Sequence, residues 1–100
     1  MSAELELYAP RGMKISTIGM GIVRAALNEK RITIDMERGN RFAVSAYGNE
    51  EGFEEYIENQ VQEINQELAE SPRTSVFDLK IRKIYENSLT AEQELAKYNP

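Results

Sequence analysis

The chain contains no cysteine, histidine or tryptophan among its 100 residues. Without cysteine there is no disulfide framework, thiol nucleophile, iron–sulfur cluster or cysteine-based zinc site. Without histidine, the serine–histidine relay and the common imidazole metal sites are excluded. Carboxylate and carbonyl oxygens remain as metal ligands, a set that suits Mg²⁺ or Ca²⁺. No motif gathers such oxygens, so we expect neither a metal nor a cofactor.

Long apolar runs are also lacking. The longest uncharged stretch, residues 15–23, includes serine, threonine and two glycines and is too short to cross a bilayer. The first six residues include two glutamates, whereas a secretory signal has a basic start followed by an apolar run. Together with the absence of cysteine, these features favour a cytoplasmic protein.

Charge is present in quantity but unevenly placed. Seventeen acidic and twelve basic residues give a net charge of −5. Eight of the acidic residues lie between positions 49 and 70, where there is no lysine or arginine, which leaves nine acidic against twelve basic residues elsewhere. A hydrophobic content of 41% is typical of a globular protein, and the length allows a single domain over residues 1–100.

The hydropathy pattern changes period along the chain. Apolar and polar residues alternate in residues 3–8, 31–37, 41–47 and 75–85, which predicts strands. Apolar residues recur at helical spacing in residues 15–27 and 50–70, and Thr90 is positioned to cap a short last helix. This order predicts the split βαββαβ arrangement of the ferredoxin-like α+β fold. We expect two helices on one face of a four-stranded antiparallel sheet and an open opposite face.

The hairpin between the second and third strands allows two registers. A three-residue loop places Met36 opposite Phe42 and Glu37 opposite Arg41, whereas a two-residue loop places Met36 opposite Ala43. We predict the first register because it keeps the alternating apolar residues of both strands on one face. It requires the last loop residue, an asparagine, to be left-handed, which asparagine tolerates.

Two further expectations concern the helices and the core. The first helix is predicted to start at Ser16 or Thr17, or only after Gly21, since Gly19 and Gly21 weaken a helix. The predicted core consists of Leu5, Leu7, Ile22, Ile34, Met36, Phe42, Val44, Phe53, Ile57, Val61, Ile64, Leu79 and Ile81.

The acidic helix is the strongest functional signal. Its exposed side should carry Glu51, Glu54, Glu55 and Glu58, and such a cluster attracts a basic partner. The same pattern also occurs on helices whose charged face serves only solubility. We predict a non-enzymatic binding or regulatory protein, an inhibitor or adaptor, that docks on a protein partner through these glutamates. In profile the chain resembles small acidic inhibitors and adaptors, including phage-encoded ones.

Two functional alternatives and one expectation about assembly remain. A Gly-x-Gly segment before a helix could hold a phosphate-bearing ligand through Arg11, Gly19, Gly21 and Arg24, although the spacing departs from the dinucleotide-binding motif. The open sheet face, with Tyr47, could bind RNA, but the net negative charge disfavours nucleic acid. The open face and an edge strand could also pair two copies into a homodimer.

Overall fold

The computed structural model of the chain describes residues 1–46 and 51–100. Within these residues four strands and three helices follow the predicted order: β1 (Ser2–Tyr8), α1 (Thr17–Glu29), β2 (Ile32–Arg38), β3 (Arg41–Ala46), α2 (Phe53–Ala69), β4 (Asp78–Tyr85) and α3 (Thr90–Leu95). The strands pair antiparallel in the order β2-β3-β1-β4. The predicted ferredoxin-like α+β fold is therefore confirmed.

The element boundaries differ slightly from the predicted ones. The second helix begins at Phe53 rather than at residue 50, and the last strand begins at Asp78 rather than at residue 75. Before that strand, Phe77 donates its backbone N–H to the carbonyl of Thr74, which closes a turn. Tyr47, on which the RNA alternative relied, lies outside the described residues.

The first helix begins where its capping residue predicts. The hydroxyl oxygen of Ser16 accepts a hydrogen bond from the backbone N–H of Gly19 at 3.0 Å, which satisfies one of the free donors at the helix start. A start after Gly21 is therefore wrong. Gly19 is buried under the ring of Phe77, and a β-carbon there would lie 2.8 Å from that ring, whereas a β-carbon on Gly21 would meet nothing within 4 Å.

The main core fills the space between the sheet and the two long helices. Ile22, Ile34 and Ile81 are half-buried against it. The other predicted core residues, with the exception of Met36, are buried in it: Leu5, Leu7, Phe42, Val44, Phe53, Ile57, Val61, Ile64 and Leu79.

The β2–β3 hairpin contains both of the registers that the sequence allowed. Away from the turn the strands follow the predicted register, with Ile34 opposite Val44. A β-bulge at Asp35 then shifts the pairing by one residue, so that Met36 lies opposite Ala43. A bulge inserts one unpaired residue, and every side chain beyond it changes face.

The pairs predicted next to the turn are wrong for this reason. Neither Met36–Phe42 nor Glu37–Arg41 forms, because the strands are joined by a two-residue turn that starts at Gly39. The left-handed residue is Gly39, with φ of +61°, and not the asparagine that follows it. A positive φ at the first position alone is the type II′ pattern, which matches the twist of paired strands.

The bulge also decides where two side chains lie. Met36 leaves the main core and packs on the other face of the sheet, against a cluster that includes Ala43 and Leu95. Glu37 moves to the helix side, where its carboxylate lies 2.6 Å from the guanidinium of Arg24 on α1.

The sheet face opposite α1 and α2 is not open as predicted. The C-terminal helix α3 packs on it, above all over β3 and β1. On this face Ala43 is fully buried together with Ala91 and Leu95, and Met36, Tyr85 and Tyr98 surround them. The prediction failed because a six-residue helix is enough to cover the middle of a small sheet.

The start of α3 is capped by a residue from the other end of the chain. Thr90, the predicted cap, is instead the first helical residue. The hydroxyl oxygen of Ser2 on β1 accepts the backbone N–H of Ala91 at 3.1 Å and donates to the carbonyl of Asn87 at 2.7 Å. Ser2 is completely buried, and these hydrogen bonds attach α3 to β1.

The two glycines of α1 give a matched test of its close packing. We expect Gly21→Ala to raise the free energy of unfolding by about 0.5–1 kcal/mol, because alanine favours a helix and the site is open. Gly19→Ala should instead lower it by about 1–3 kcal/mol, because its methyl group overlaps the Phe77 ring. Urea unfolding measures the free energy of unfolding of both variants. Equal stabilisation by the two would contradict the close approach.

Candidate functional site

The outer side of α2 carries the acidic cluster that the sequence singled out. The buried stripe of α2, from Phe53 to Leu68, faces the sheet and so directs the intervening positions to solvent. All four predicted contact residues are exposed: Glu51, Glu54, Glu55 and Glu58. Among the ion pairs formed by residues 1–46 and 51–100, none includes any of these four. Their charge is therefore presented to the surroundings.

This arrangement is not the one that most stabilises a helix. Glu54 and Glu55 lie in the first turn, where the positive end of the helix dipole favours them. Within α2, Glu54 and Glu58 are like charges four residues apart, and such a pair costs about 0.2–0.5 kcal/mol. The helix dipole and this repulsion act in opposite directions on helix stability.

One lysine shows how α2 receives a cation. Lys30, just after α1, places its ammonium 2.8 Å from the carboxylate of Glu63. The hydrogen bond to Glu63 raises the pKa of Lys30, and the charges of Glu67 and Glu29 add to the effect against the opposing influence of burial. The hydroxyl of Tyr56 on α2 donates to the carbonyl of Lys30 at 2.6 Å, which holds the two helices together at this point.

The second candidate, around the start of α1, does not form a phosphate cradle. Gly19 is buried, and its N–H is already bonded to Ser16. Arg24 makes a two-pronged ion pair with Glu37, through Nε at 2.9 Å and Nη2 at 2.6 Å. An anion at Arg24 would therefore compete with a carboxylate already in place.

A shallow cleft of about 330 Å³ lies between the start of α1 and the β2–β3 turn. Arg24 and Glu37 form part of its wall, together with Ile15, Ser16, Thr17, Met20, Gly39 and Asn40. The structure thus brings only Arg24 of the proposed ligand-binding residues to this cleft. Arg11 is exposed on the turn closed by the hydrogen bond from Met13 to Pro10, and Gly21 is half-buried along the helix.

The α3 side of the sheet holds a buried network of charges. Glu6 is 7% exposed, and its Oε1 accepts from Nε of Arg41 at 2.6 Å and from Nη1 of Arg82 at 3.1 Å. The guanidinium of Arg41 also lies 3.6 Å above the centre of the Tyr98 ring. The ammonium of Lys80 lies 3.7 Å from the carboxylate of Asp78.

Tyr85 joins this network from the edge strand. A β-bulge in β4 at Arg82 turns Lys83 and Tyr85 to the α3 side, where the Tyr85 hydroxyl donates to Glu4 at 3.0 Å. Burial, with the hydrogen bond to Glu4 and the charge of that carboxylate, raises the pKa of Tyr85 to about 12. Glu6 and Glu4 thus each have hydrogen-bond partners within the chain.

Sequence reasoning missed the residues that close this face. Ala91, Leu95 and Tyr98 recur at spacings of four and three, a short apolar stripe that indicates a buried helix side. This stripe is visible in the sequence, and it predicts that α3 packs against another element of the fold. The role of Arg41 carried no local signal, because it depends on partners from β1 and from the C-terminal segment.

Within the part of the chain that the structure describes, no three acidic side chains converge as a metal site. In the same residues no helix has both the length and the apolar character needed to cross a membrane. Comparison with protein-family models, with curated proteins and with solved structures finds no match to this chain. Inference about its function therefore depends on its surfaces.

The alkaline stability of the protein should depend on Tyr85. Because its folded pKa lies above the ordinary 10.0, the stabilisation it gives is complete below pH 10 and is lost as the pH rises toward 12. Urea unfolding across this range should show a smaller loss of stability in Tyr85→Phe than in the native chain. Tyr56→Phe, on the helix side, is the control. If the stability of the native protein and that of Tyr85→Phe fall identically with rising pH, alkaline stability does not depend on Tyr85.

Proposed function

We propose that the protein is a small non-enzymatic binding or regulatory protein, an inhibitor or adaptor, that docks on a basic protein surface through α2. Glu51, Glu54, Glu55 and Glu58 form the contact surface. The observation that carries the proposal is that these four carboxylates are exposed together and make no ion pair with any described residue. A like-charged cluster of this kind speeds encounter with an oppositely charged partner and makes binding salt-sensitive.

The contact of Lys30 with α2 supports a partner that carries basic side chains. Lys30 sits against α2 with its ammonium on Glu63 and with Glu67 nearby, so the same helix already binds one lysine within the chain. A partner's lysine or arginine would meet the same chemistry at the start of α2, without a cation of the chain to displace. The proposed site of action is the cytoplasm, a reducing compartment in which proteins do not rely on disulfide bonds.

The alternatives have less support. RNA binding was assigned to an open sheet face, and α3 packs on that face. A phosphate-bearing ligand would have to displace Glu37 from Arg24. Self-association through the same sheet face is hindered by α3, although a homodimer through an edge strand stays a prediction.

Charge reversal on α2 tests the proposal. Affinity purification from the native lysate, followed by mass spectrometry, should identify a basic partner with the unmodified chain. Glu51, Glu54, Glu55 and Glu58, all changed to lysine, should reduce its capture by a factor on the order of ten or more, because attraction becomes repulsion. Raising the salt concentration should weaken capture by the native chain, since salt screens exposed charges.

The matched control changes net charge equally at other exposed sites. It replaces four further exposed glutamates with lysine: Glu29, Glu70, Glu86 and Glu94. Capture should survive in this control. If both variants retain the partner equally and salt has no effect, α2 is not the docking surface.

A further inference from the structure

The outer edge of β4 is closed by a side chain from α2. β4 is an end strand of the sheet, so one side of its backbone has no neighbouring strand. At Leu79 this side is nevertheless occupied. The backbone N–H of Leu79 donates to Oδ1 of Asn65 at 2.7 Å, and Nδ2 of Asn65 donates to the carbonyl of Leu79 at 2.9 Å.

The inner neighbour confirms which way these groups point. Leu7 of β1 lies opposite Leu79 but directs its own hydrogen bonds away from it. Its N–H donates to the carbonyl of Asn40 at 2.9 Å, and its carbonyl accepts from Nδ2 of Asn40 at 2.8 Å. Leu7 and Leu79 are therefore a non-hydrogen-bonded pair, and the backbone groups of Leu79 face the open edge.

One amide thus makes both hydrogen bonds that a residue of a fifth strand would make at this position. An antiparallel neighbour exchanges one N–H and one carbonyl bond with the residue opposite, and the side-chain amide of Asn65 offers the same donor and acceptor. Exposed strand edges readily pair with the edge of another molecule, and proteins protect them by covering, by bulges and by charged residues.

Two more features protect the same strand. The bulge at Arg82 interrupts its regular pairing geometry, and Lys80 and Lys83 project from it into solvent. In an antiparallel pair of two β4 strands whose register places Lys80 opposite Lys83, these cations would face one another across the interface. Their repulsion is weakened by salt, whereas the hydrogen bonds of Asn65 are not.

We propose that Asn65 is an edge guard: it occupies the place of a neighbouring strand and prevents β4 from pairing with β4 of a second copy of this chain. Lys80 and Lys83 form a second, salt-dependent barrier at the same edge. The inference is independent of the acidic surface on α2, because Asn65 binds the strand on the sheet side of that helix.

Sedimentation velocity of Asn65→Ala at low and high salt tests the guard. Gln66→Ala, at the exposed neighbouring position, is the control for loss of an amide from the same helix. We expect Asn65→Ala to dimerise at least tenfold more tightly than the control, and more tightly still at high salt. Exchange of the Leu79 amide hydrogen in the monomer should accelerate by a similar factor.

Mixing experiments locate the contact. Asn65→Ala should pair with a variant that combines Asn65→Ala, Lys80→Glu and Lys83→Glu, and at low salt this mixed pair should be tighter than either self-pair. If Asn65→Ala stays as monomeric as Gln66→Ala at both salt concentrations, the guard role is wrong. It is equally wrong if the mixed pair has no advantage. Should Asn65→Ala not fold, Asn65→Asp, which keeps the acceptor for the Leu79 N–H, is measured with the same expected direction.

Discussion

The buried carboxylate of Glu6 is the constraint on which the α3 side of the molecule depends. β1 is one of the two inner strands of the sheet, and residues 2–7 are all buried, so a carboxylate on it cannot reach bulk water freely. An ionised group in that position requires charged partners, and Arg41 and Arg82 supply them from the two adjacent strands. Arg41 in turn lies on Tyr98, which connects the carboxylate to the C-terminal segment.

Because α3 covers this side of the sheet, the two faces of the sheet carry different layers. One side of the sheet carries an apolar core under α1 and α2, and the other carries a polar network and a small apolar cluster under α3. In the polar network, Glu6 and Glu4 form hydrogen bonds with partners within the chain. Glu51, Glu54, Glu55 and Glu58 differ, because they form no ion pair with any of the described residues. Binding is therefore proposed there.

The parts of the structure that sequence predicts well are those set by local pattern. The stripe from Phe53 to Leu68 and the cap at Ser16 follow from helical spacing and hydrogen-bonding capacity. The bulge at Asp35 does not, because it depends on distant partners. Beyond it, Met36 fits beneath α3 and Glu37 reaches Arg24, and both contacts exist only in the folded chain.

The candidate site was predictable in its location but not in its setting. The positions of Glu54, Glu55 and Glu58 on the outer side of α2 follow from the apolar stripe, and Glu51 lies in the turn that precedes the helix. Two features could be seen only in the tertiary structure. The opposite sheet face is covered, and Asn65 is turned toward β4. A mid-helix asparagine has no pattern that distinguishes a strand partner from an exposed polar residue.

The α3 side of the sheet is closed, whereas the outer side of α2 is open. Nuclear magnetic relaxation in the presence of a soluble paramagnetic agent measures both surfaces in one experiment. We expect strong enhancement of relaxation at Glu54 and Glu58 and weak enhancement at the methyl group of Ala43, which is fully buried. Strong enhancement at Ala43, equal to that of the α2 glutamates, would contradict this expectation.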